Sequence, residues 1–251
     1  MVKYTVITGA SSGIGKAVAQ KLAALGKNLI LAARGEAILA DMKQALEKEY
    51  GVSVIVKKVD LASKSELVSF YDSLNEYDLE TFINNAGFGK KALVDEMNLT
   101  EVDQMIDVNI KALVYLSTKF VRDYKNVPGT TLINVSSLAG YAIFDDAVDY
   151  SATKFFVSAF TEGLAKELEV NNNEMKVKIL APGPVETKFE AIAKNIDNVN
   201  YKETFSKFHT AEEMAGFLID LLNSDQLLGK VNRDTLEFNL KSGEYHKIGF
   251  E

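Results

Sequence analysis

The chain has 251 residues, of which 47% are hydrophobic, and its formal net charge is -7. That length suits one large α/β domain, while the acidic balance and the lack of a basic run argue against nucleic acid as a partner. With no cysteine and only two histidines, we expect no disulfide, no thiolate chemistry and no metal site. No segment has the length and apolar character of a membrane span, and cleavage of a signal peptide would remove the first predicted strand. We therefore expect a cytoplasmic protein.

Short apolar segments alternate with longer amphipathic segments along the whole chain. The predicted strands are residues 4–7, 28–32, 52–56, 81–83, 130–135 and 176–180, and an alternating pattern predicts another at 236–240. The predicted helices are residues 13–24, 36–50, 101–124 with Thr100 as N-cap, 150–170, and one that opens with a Thr210–Glu213 capping box. The Asn- and Asp-rich residues 195–201 are predicted to be a loop or a lid.

This alternation, without internal repeats or linkers, predicts one α/β domain over residues 1–251. Nearly continuous apolar strands are typical of a parallel sheet that is covered on both faces. We therefore predict a Rossmann-like, doubly wound parallel sheet with helices on both faces.

A glycine-rich loop, Thr8-Gly9-Ala10-Ser11-Ser12-Gly13-Ile14-Gly15, joins the first strand to the first helix. Gly9 permits a tight turn, Gly13 lets the backbone approach a pyrophosphate, and Gly15 lets helix and strand pack closely. The helix N-terminus offers free N–H groups and the positive end of a dipole to phosphates. At this position the pattern indicates a dinucleotide site, although glycine spacing alone would also fit an ordinary turn.

The end of the second strand discriminates between NAD and NADP, because an acidic residue there binds the ribose 2′-hydroxyl. This chain has Leu31-Ala32-Ala33-Arg34 and no acidic residue at that point. A guanidinium suits a 2′-phosphate, so we predict NADP(H) in preference to NAD. The alternative is that Arg34 is an ordinary solvated arginine.

Tyr150 and Lys154 are four residues apart and share one helix face. A nearby ammonium stabilises a phenolate, which would lower the pKa of Tyr150 and make it usable as an acid or base. Taken alone, the pair would also fit a solvated helix face.

The chain resembles the compact single-domain branch of the short-chain dehydrogenase/reductase family. Besides the features above, the resemblance rests on Asp60, the segment 84–87, Asn109, Ser136-Ser137 and the loop 182–187. The resemblance extends from residue 8 to about residue 187. It implies that Tyr150 is the general acid/base, that Lys154 lowers its pKa and binds the nicotinamide ribose, and that Ser137 binds the substrate oxygen.

The resemblance further implies that Asn109 holds a water that relays protons to Lys154. The cofactor contacts that it implies are Gly9, Ser11, Ser12, Gly13, Ile14, Gly15, Arg34, Asp60, Leu61, Asn85, Ala86, Gly87, Tyr150, Lys154, Pro182, Gly183, Val185 and Thr187. Structural alternatives exist: the serines could be strand-end hydrogen bonders, Asn109 a kink residue and Asp60 a helix N-cap.

The reading that we favour is an NADP-dependent carbonyl reductase or alcohol dehydrogenase acting on a small-molecule substrate. A non-catalytic dinucleotide-binding regulator is the alternative, and a sugar-nucleotide epimerase or dehydratase would need a larger C-terminal domain. Candidate pocket walls are Phe88, Tyr141, Ile143, Phe144 and Phe189, with Asp145 and Asp146 near the mouth and Lys90, Lys91 and Lys188 as possible anion partners.

Apolar residues on the two long helices, 101–124 and 150–170, predict self-association as a homodimer or homotetramer. The segment 230–251 lacks the glycine-rich ending common in tetrameric relatives.

Overall fold

The computed structural model describes residues 2–245, in which strands and helices alternate. The strands are β1 (Lys3–Thr8), β2 (Asn28–Ala33), β3 (Val54–Lys58), β4 (Asp78–Asn84), β5 (Thr131–Val135), β6 (Lys176–Ala181), β7 (Val185–Glu186), β8 (His209–Thr210), β9 (Leu228–Val231) and β10 (Phe238–Lys241). The helices are α1 (Gly13–Ala24), α2 (Glu36–Tyr50), α3 (Lys64–Asp72), α4 (Leu99–Ile106), α5 (Leu113–Tyr124), α6 (Val148–Val170), α7 (Phe189–Lys194), α8 (Tyr201–Thr204) and α9 (Ala211–Asn223).

Eight strands form one sheet in the order β10-β9-β6-β5-β4-β1-β2-β3, and β7 and β8 form a separate parallel pair. All neighbours in the large sheet are parallel except β10, which runs antiparallel to β9. The predicted doubly wound fold is therefore confirmed, with one antiparallel edge strand added. The strand order reverses between β1 and β4, which places a crevice at the carboxyl ends of these two strands.

Helices cover both faces of the sheet, and successive strand residues point to opposite faces. Leu29 and Leu31 belong to the core beneath α1, α2 and α9, whereas Ile30 belongs to the core beneath α3, α5 and α6. Burial on both faces explains why the central strands consist of nearly continuous apolar residues.

The long helix predicted at 101–124 begins earlier and is not regular. The N-cap is Asn98, whose Oδ1 accepts a hydrogen bond from the Thr100 N–H at 2.9 Å, so the prediction of Thr100 as N-cap was wrong. A π-helical segment, Asp107–Ala112, separates α4 from α5. Such insertions are frequent at functional sites, and this one contains Asn109.

The predicted capping box at the start of α9 is confirmed, with Thr210 Oγ1 accepting from the Glu213 N–H at 3.1 Å and Glu213 Oε2 accepting from the Thr210 N–H at 2.8 Å. The strand predicted at 236–240 begins only at Phe238, because Leu236 adopts a positive φ of 60°.

Strand β9 was not predicted, since a glycine and a lysine interrupt its apolar run. The Asn/Asp-rich loop predicted at 195–201 ends where α8 begins, at Tyr201, and the Tyr201 side chain is buried. Met1 and residues 246–251, which include the end of the predicted C-terminal tail, lie outside the described residues. Within residues 2–245, no helix combines the length and the apolar character that crossing a bilayer requires.

Candidate active site

The glycine loop and the segment after β4 are joined at the carboxyl end of the sheet. Asn85 Nδ2 donates to the Thr8 and Gly9 carbonyls at 3.0 and 3.3 Å, and the Asn85 and Ala86 N–H groups both donate to Thr8 Oγ1 at 3.1 Å. Gly9 has a φ of 66°, and a Cβ on it would lie 2.9 Å from Ala86 Cα. The side chain of Asn85 therefore holds the loop in shape.

The first turn of α1 has the features of an anion site. Its N-cap, Ser12, makes no side-chain capping hydrogen bond, and no acidic residue lies in the first turn. Within residues 2–245, the N–H groups of this turn therefore have no side-chain acceptor, and they lie at the positive end of the helix dipole. The Ile14 side chain packs against the core instead, and a Cβ on Gly15 would lie 2.4 Å from the Gly9 carbonyl oxygen.

The loop 182–187 lies across from the glycine loop. A Cβ on Gly13 would lie 3.1 Å from Thr187 Cγ2, so the two loops are in close contact. The Leu138 N–H donates to the Pro182 carbonyl at 2.8 Å. Gly183 packs against the Val231 side chain, and the buried Val185 pairs with His209 in the small sheet.

The residues predicted to bind the adenosine lie at the ends of β2 and β3. Arg34 directly follows β2, is exposed and forms no ion pair with any described residue. Asp60 Oδ1 accepts from the Ala62 N–H at 3.0 Å, which forms a turn before α3. The N-cap of α3 is Ser63 rather than Asp60, and Leu61 packs against the core.

Gly87, Asn109 and Lys154 converge beside this crevice. A Cβ on Gly87 would lie 3.0 Å from Asn109 Oδ1 and 3.5 Å from Lys154 Nζ. Asn109 Nδ2 donates to the Phe88 carbonyl at 2.8 Å and to Thr153 Oγ1 at 3.1 Å, so both of its N–H groups are engaged. The π-helical segment thus carries the Asn109 side chain to the start of α6.

The two serines after β5 have different surroundings. Ser136 is buried, and its hydroxyl bonds to the Lys154 carbonyl at 3.1 Å and to Ser158 Oγ at 2.8 Å. Ser137 is partly exposed, and its Oγ accepts from the Ala139 N–H at 3.1 Å. Only Ser137 is therefore placed to meet a ligand.

Burial governs the electrostatics of the tyrosine and the lysine. It raises the pKa of Tyr150, the Ser137 hydroxyl opposes this by hydrogen bonding, and the charge of Glu190 adds to it. Burial lowers the pKa of Lys154 to about 8. Lys154 Nζ lies 5.8 Å from the centroid of the Tyr150 ring and donates to the Val135 carbonyl at 3.0 Å.

Sequence reasoning missed two residues near Tyr150. A Cβ on Gly89 would lie 3.0 Å from Tyr150 Cδ2 and 2.9 Å from Phe189 Cζ, so only glycine fits there. Glu190 is 9% exposed, and its Oε2 accepts no hydrogen bond from the described residues, although Lys91 Nζ lies 3.3 Å away. Neither residue was predicted to be a site residue, and the fold brings both of them close to Tyr150.

The residues predicted to form the pocket walls differ in their surroundings. The Phe189 ring lies 5.4 Å from the Tyr150 ring, beside the candidate catalytic group. Ile143 is 74% exposed, so it packs little against its neighbours. Tyr141 donates its hydroxyl to Glu162 Oε1 at 2.8 Å and lines a cavity with Leu138 and Lys230.

Two of the three lysines proposed as anion partners, Lys90 and Lys91, already form ion pairs. Lys90 contacts Glu101 at 2.7 Å, Lys91 contacts Asp146 at 3.6 Å, and Lys188 is exposed before α7. Within residues 2–245 no three His, Asp or Glu side chains are grouped as a metal site.

The sequence matches the family described as short chain dehydrogenase over residues 3–196. The chain therefore belongs to the short-chain dehydrogenase/reductase family of oxidoreductases. An uncharacterised oxidoreductase of Staphylococcus saprophyticus is 34% identical over 188 residues, which cover 74% of this chain and 75% of that protein.

Two solved structures show the same fold with a bound dinucleotide. A short-chain dehydrogenase from Sphingobium yanoikuyae in complex with NADPH is 26% identical with a TM-score of 0.82, covering 90% of this chain and 86% of that one. A short-chain dehydrogenase/reductase from Burkholderia phymatum in complex with NAD is 25% identical with a TM-score of 0.77, covering 87% and 84%.

Proposed function

We propose that this protein transfers a hydride between NADP(H) and the carbonyl or alcohol carbon of a small substrate, with Tyr150 as the general acid/base. The observation that carries the proposal is the convergence of three side chains: Lys154 Nζ lies 5.8 Å from the centroid of the Tyr150 ring, and the Ser137 hydroxyl hydrogen-bonds to Tyr150. The alternative, a non-catalytic regulator, is disfavoured because Asn109, Ser137, Tyr150 and Lys154 are all present in the sequence.

The residues present fit a dinucleotide. The uncapped first turn of α1 would hold the diphosphate, the 85–87 segment and Asp60 the adenosine side, and the loop 182–187 the nicotinamide side. The nicotinamide supplies the hydride chemistry when it is bound.

The side chains of the chain supply the proton and the electrostatic stabilisation. The Tyr150 phenol is protonated at neutral pH and can donate its proton to the substrate oxygen during reduction, because the alkoxide that hydride addition forms is a much stronger base than a phenolate. The Ser137 hydroxyl would donate to the same oxygen as negative charge develops on it. Lys154, with a pKa of about 8, would be the cation that binds the cofactor ribose and offsets that charge.

The preference for NADP(H) rests on Arg34, which is exposed at the end of β2 and unpaired within the described residues. A charge-assisted hydrogen bond from a guanidinium to a phosphate contributes about 1.5–3 kcal/mol, so Arg34→Ala should raise the KM for NADPH roughly tenfold or more. The KM for NADH should not change. Equal losses for both cofactors would show that Arg34 does not recognise the 2′-phosphate.

The decisive experiment measures loss of absorbance at the reduced nicotinamide band over a panel of aldehydes, ketones, dicarbonyls and β-keto acids. The wild type should oxidise NADPH with at least one of them, and Tyr150→Phe should lose turnover while retaining NADPH affinity. The matched control is Tyr71→Phe, which removes a phenol hydroxyl bonded to Asp123 at 2.8 Å, a contact between α3 and α5. Full turnover in Tyr150→Phe would refute the role of the phenol.

We also propose that the protein is cytoplasmic and self-associates through the exposed faces of α5 and α6. Phe156 is 41% exposed there, stacks on Phe160 at 6.1 Å, and lines a groove with Val114 and Tyr115. A monomeric mass in light scattering at micromolar concentration would contradict self-association.

A further inference from the structure

A buried carboxylate on α6 anchors the C-terminal end of the described chain. Glu162 is fully buried and accepts three hydrogen bonds, from the Tyr141 hydroxyl at 2.8 Å and from the Glu244 and Tyr245 N–H groups at 2.9 Å each. Gly243 has a φ of 129°, and a Cβ on it would lie 2.8 Å from Glu162 Oε2. Residues 242–245, here named the C-terminal strap, are thus shaped around this carboxylate.

The strap contacts the turn that follows Ser137. The Tyr245 hydroxyl donates to the Gly140 carbonyl at 3.0 Å, and the Tyr245 ring stacks on Tyr141 at 5.6 Å. Ser137 is the N-cap of this 3-10 turn, Leu138–Gly140, and bonds to it through the Ala139 N–H. The strap therefore bonds to the same three-residue turn that orients the Ser137 hydroxyl.

The opposite side of the turn is rigidly packed. A Cβ on Gly140 would lie 2.4 Å from Ser158 Oγ and 2.6 Å from the Lys154 carbonyl. The turn therefore lies between α6, which carries Tyr150 and Lys154, and the strap. Displacement of the strap would leave the turn supported on one side only.

Ion pairs fix the strap from outside. Glu244 contacts Lys230 at 2.7 Å and Lys241 at 2.9 Å, and Lys230 Nζ lies 4.6 Å from the centroid of the Tyr141 ring. Lys166 Nζ donates to the Tyr245 carbonyl. These polar contacts fix the strap beside the candidate site, and the strap contains no aliphatic side chain that would complete the core.

We propose that Tyr245 and Tyr141, anchored by Glu162, are positioning residues that hold the Ser137 hydroxyl in line with Tyr150. This inference rests on the proposed function, because it assigns the strap to the serine that would bind the substrate oxygen. Small misplacements of a reacting group can lower rates by up to about 100-fold. A variant that keeps its fold but holds the Leu138–Gly140 turn less firmly should therefore still lose turnover.

The test compares Tyr245→Phe and Tyr141→Phe with Tyr71→Phe, which removes an equivalent phenol–carboxylate bond away from the site. We expect kcat to fall about tenfold in Tyr245→Phe and Tyr141→Phe, together called the strap variants, with NADPH affinity unchanged, and to stay at the wild-type value in Tyr71→Phe. An unchanged kcat in both strap variants would overturn the inference.

A double-variant cycle separates positioning from general loosening. In a Ser137→Ala background, Tyr245→Phe should cause no further loss, because the hydroxyl that it positions is gone. The same fold-loss in both backgrounds would refute positioning. If turnover of Ser137→Ala is too low for the cycle, the split between kcat and KM decides: Tyr245→Phe should lower kcat and leave the KM for NADPH unchanged, and a raised KM with an unchanged kcat would refute positioning.

The same data distinguish failure of the inference from failure of the proposed function. Wild-type turnover in Ser137→Ala would remove the proposed role of Ser137 and the inference with it. A strong loss in Ser137→Ala, with no effect of the strap variants, would reject the strap alone.

Discussion

Two lysines are buried within the described residues, and they differ in how their ammonium groups are satisfied. Lys178 on β6 is 2% exposed, and its Nζ donates to the carbonyls of Leu221, Ser224 and Gln226 at 2.9, 2.6 and 3.0 Å. Lys154 on α6 is 5% exposed, and its Nζ donates to one carbonyl among the described residues, that of Val135. Burial lowers the pKa of each to about 8.

An ammonium carries three donors, so Lys178 is saturated and Lys154 is not. Lys178 caps the C-terminal end of α9, where carbonyls lack helical partners and the helix dipole favours a cation. Lys154 has donors left over beside Gly87 and Tyr150. The comparison teaches that a shifted pKa alone does not identify a site; the unfilled hydrogen-bonding capacity does.

The largest expected difference between the two lysines is in activity. Lys154→Met should lower kcat/KM about 1,000-fold, because the site loses the cation beside the phenol and the developing charge. Its free energy of unfolding near pH 7 should equal or exceed that of the wild type, since a poorly satisfied buried charge is removed. Steady-state kinetics and urea unfolding check both parts; a large loss of stability would show that Lys154 is structural.

Lys178→Met should show the reverse pattern. Three buried carbonyls lose their donor, and we expect a loss of about 2 kcal/mol in the free energy of unfolding. Activity per folded molecule should stay at the wild-type value, because Lys178 lies at the end of α9 away from Tyr150. Active-site titration with NADPH normalises the rates; if the normalised rate falls as in Lys154→Met, the comparison fails.

Of the two buried lysines, the sequence was sufficient to single out Lys154 as a candidate site residue. Gly13, Tyr150 and Lys154 are motif residues, and the strand–helix alternation predicted the sheet that brings their segments together. Nothing in the sequence predicted Lys178 as a buried residue, because its partners are carbonyls at and just beyond the end of α9, 43–48 residues away.

The same reason explains the other misses. Glu190 and the Glu162–Tyr245 bond are tertiary juxtapositions of residues without local periodicity or motif. The interruption of helix 101–124 at Asp107–Ala112 also escaped prediction, since its sequence keeps the apolar spacing of an ordinary helix. The local sequence pattern determines which segments become helices and strands. Contacts between side chains of different helices and strands depend instead on how these elements pack, which the local pattern does not specify.

A pH series sharpens the comparison further. A lysine whose folded pKa is about 8 and whose unfolded pKa is 10.5 binds fewer protons when folded between those values, so stability rises with pH through that window. Between pH 7.5 and 9.5 the contribution of Lys154 should amount to about 2 kcal/mol. The free energy of unfolding of Lys154→Met, measured in urea, should therefore rise less steeply with pH than that of the wild type. If the two free energies changed with pH in parallel, titration of Lys154 would be excluded as the cause.

The smallest effect is expected at Lys176, two residues before Lys178 on the same strand. Lys176 is mostly exposed and contacts Asp225 at 2.8 Å, and it makes no buried hydrogen bond to the end of α9. Exposed ion pairs are screened by solvent and contribute little, so Lys176→Met should leave the urea midpoint within experimental error of the wild type. It is the matched control for Lys178→Met, because both remove a lysine from β6. A midpoint shift as large as that of Lys178→Met would mean that charge near α9, and not the three buried hydrogen bonds, stabilises this end of the sheet.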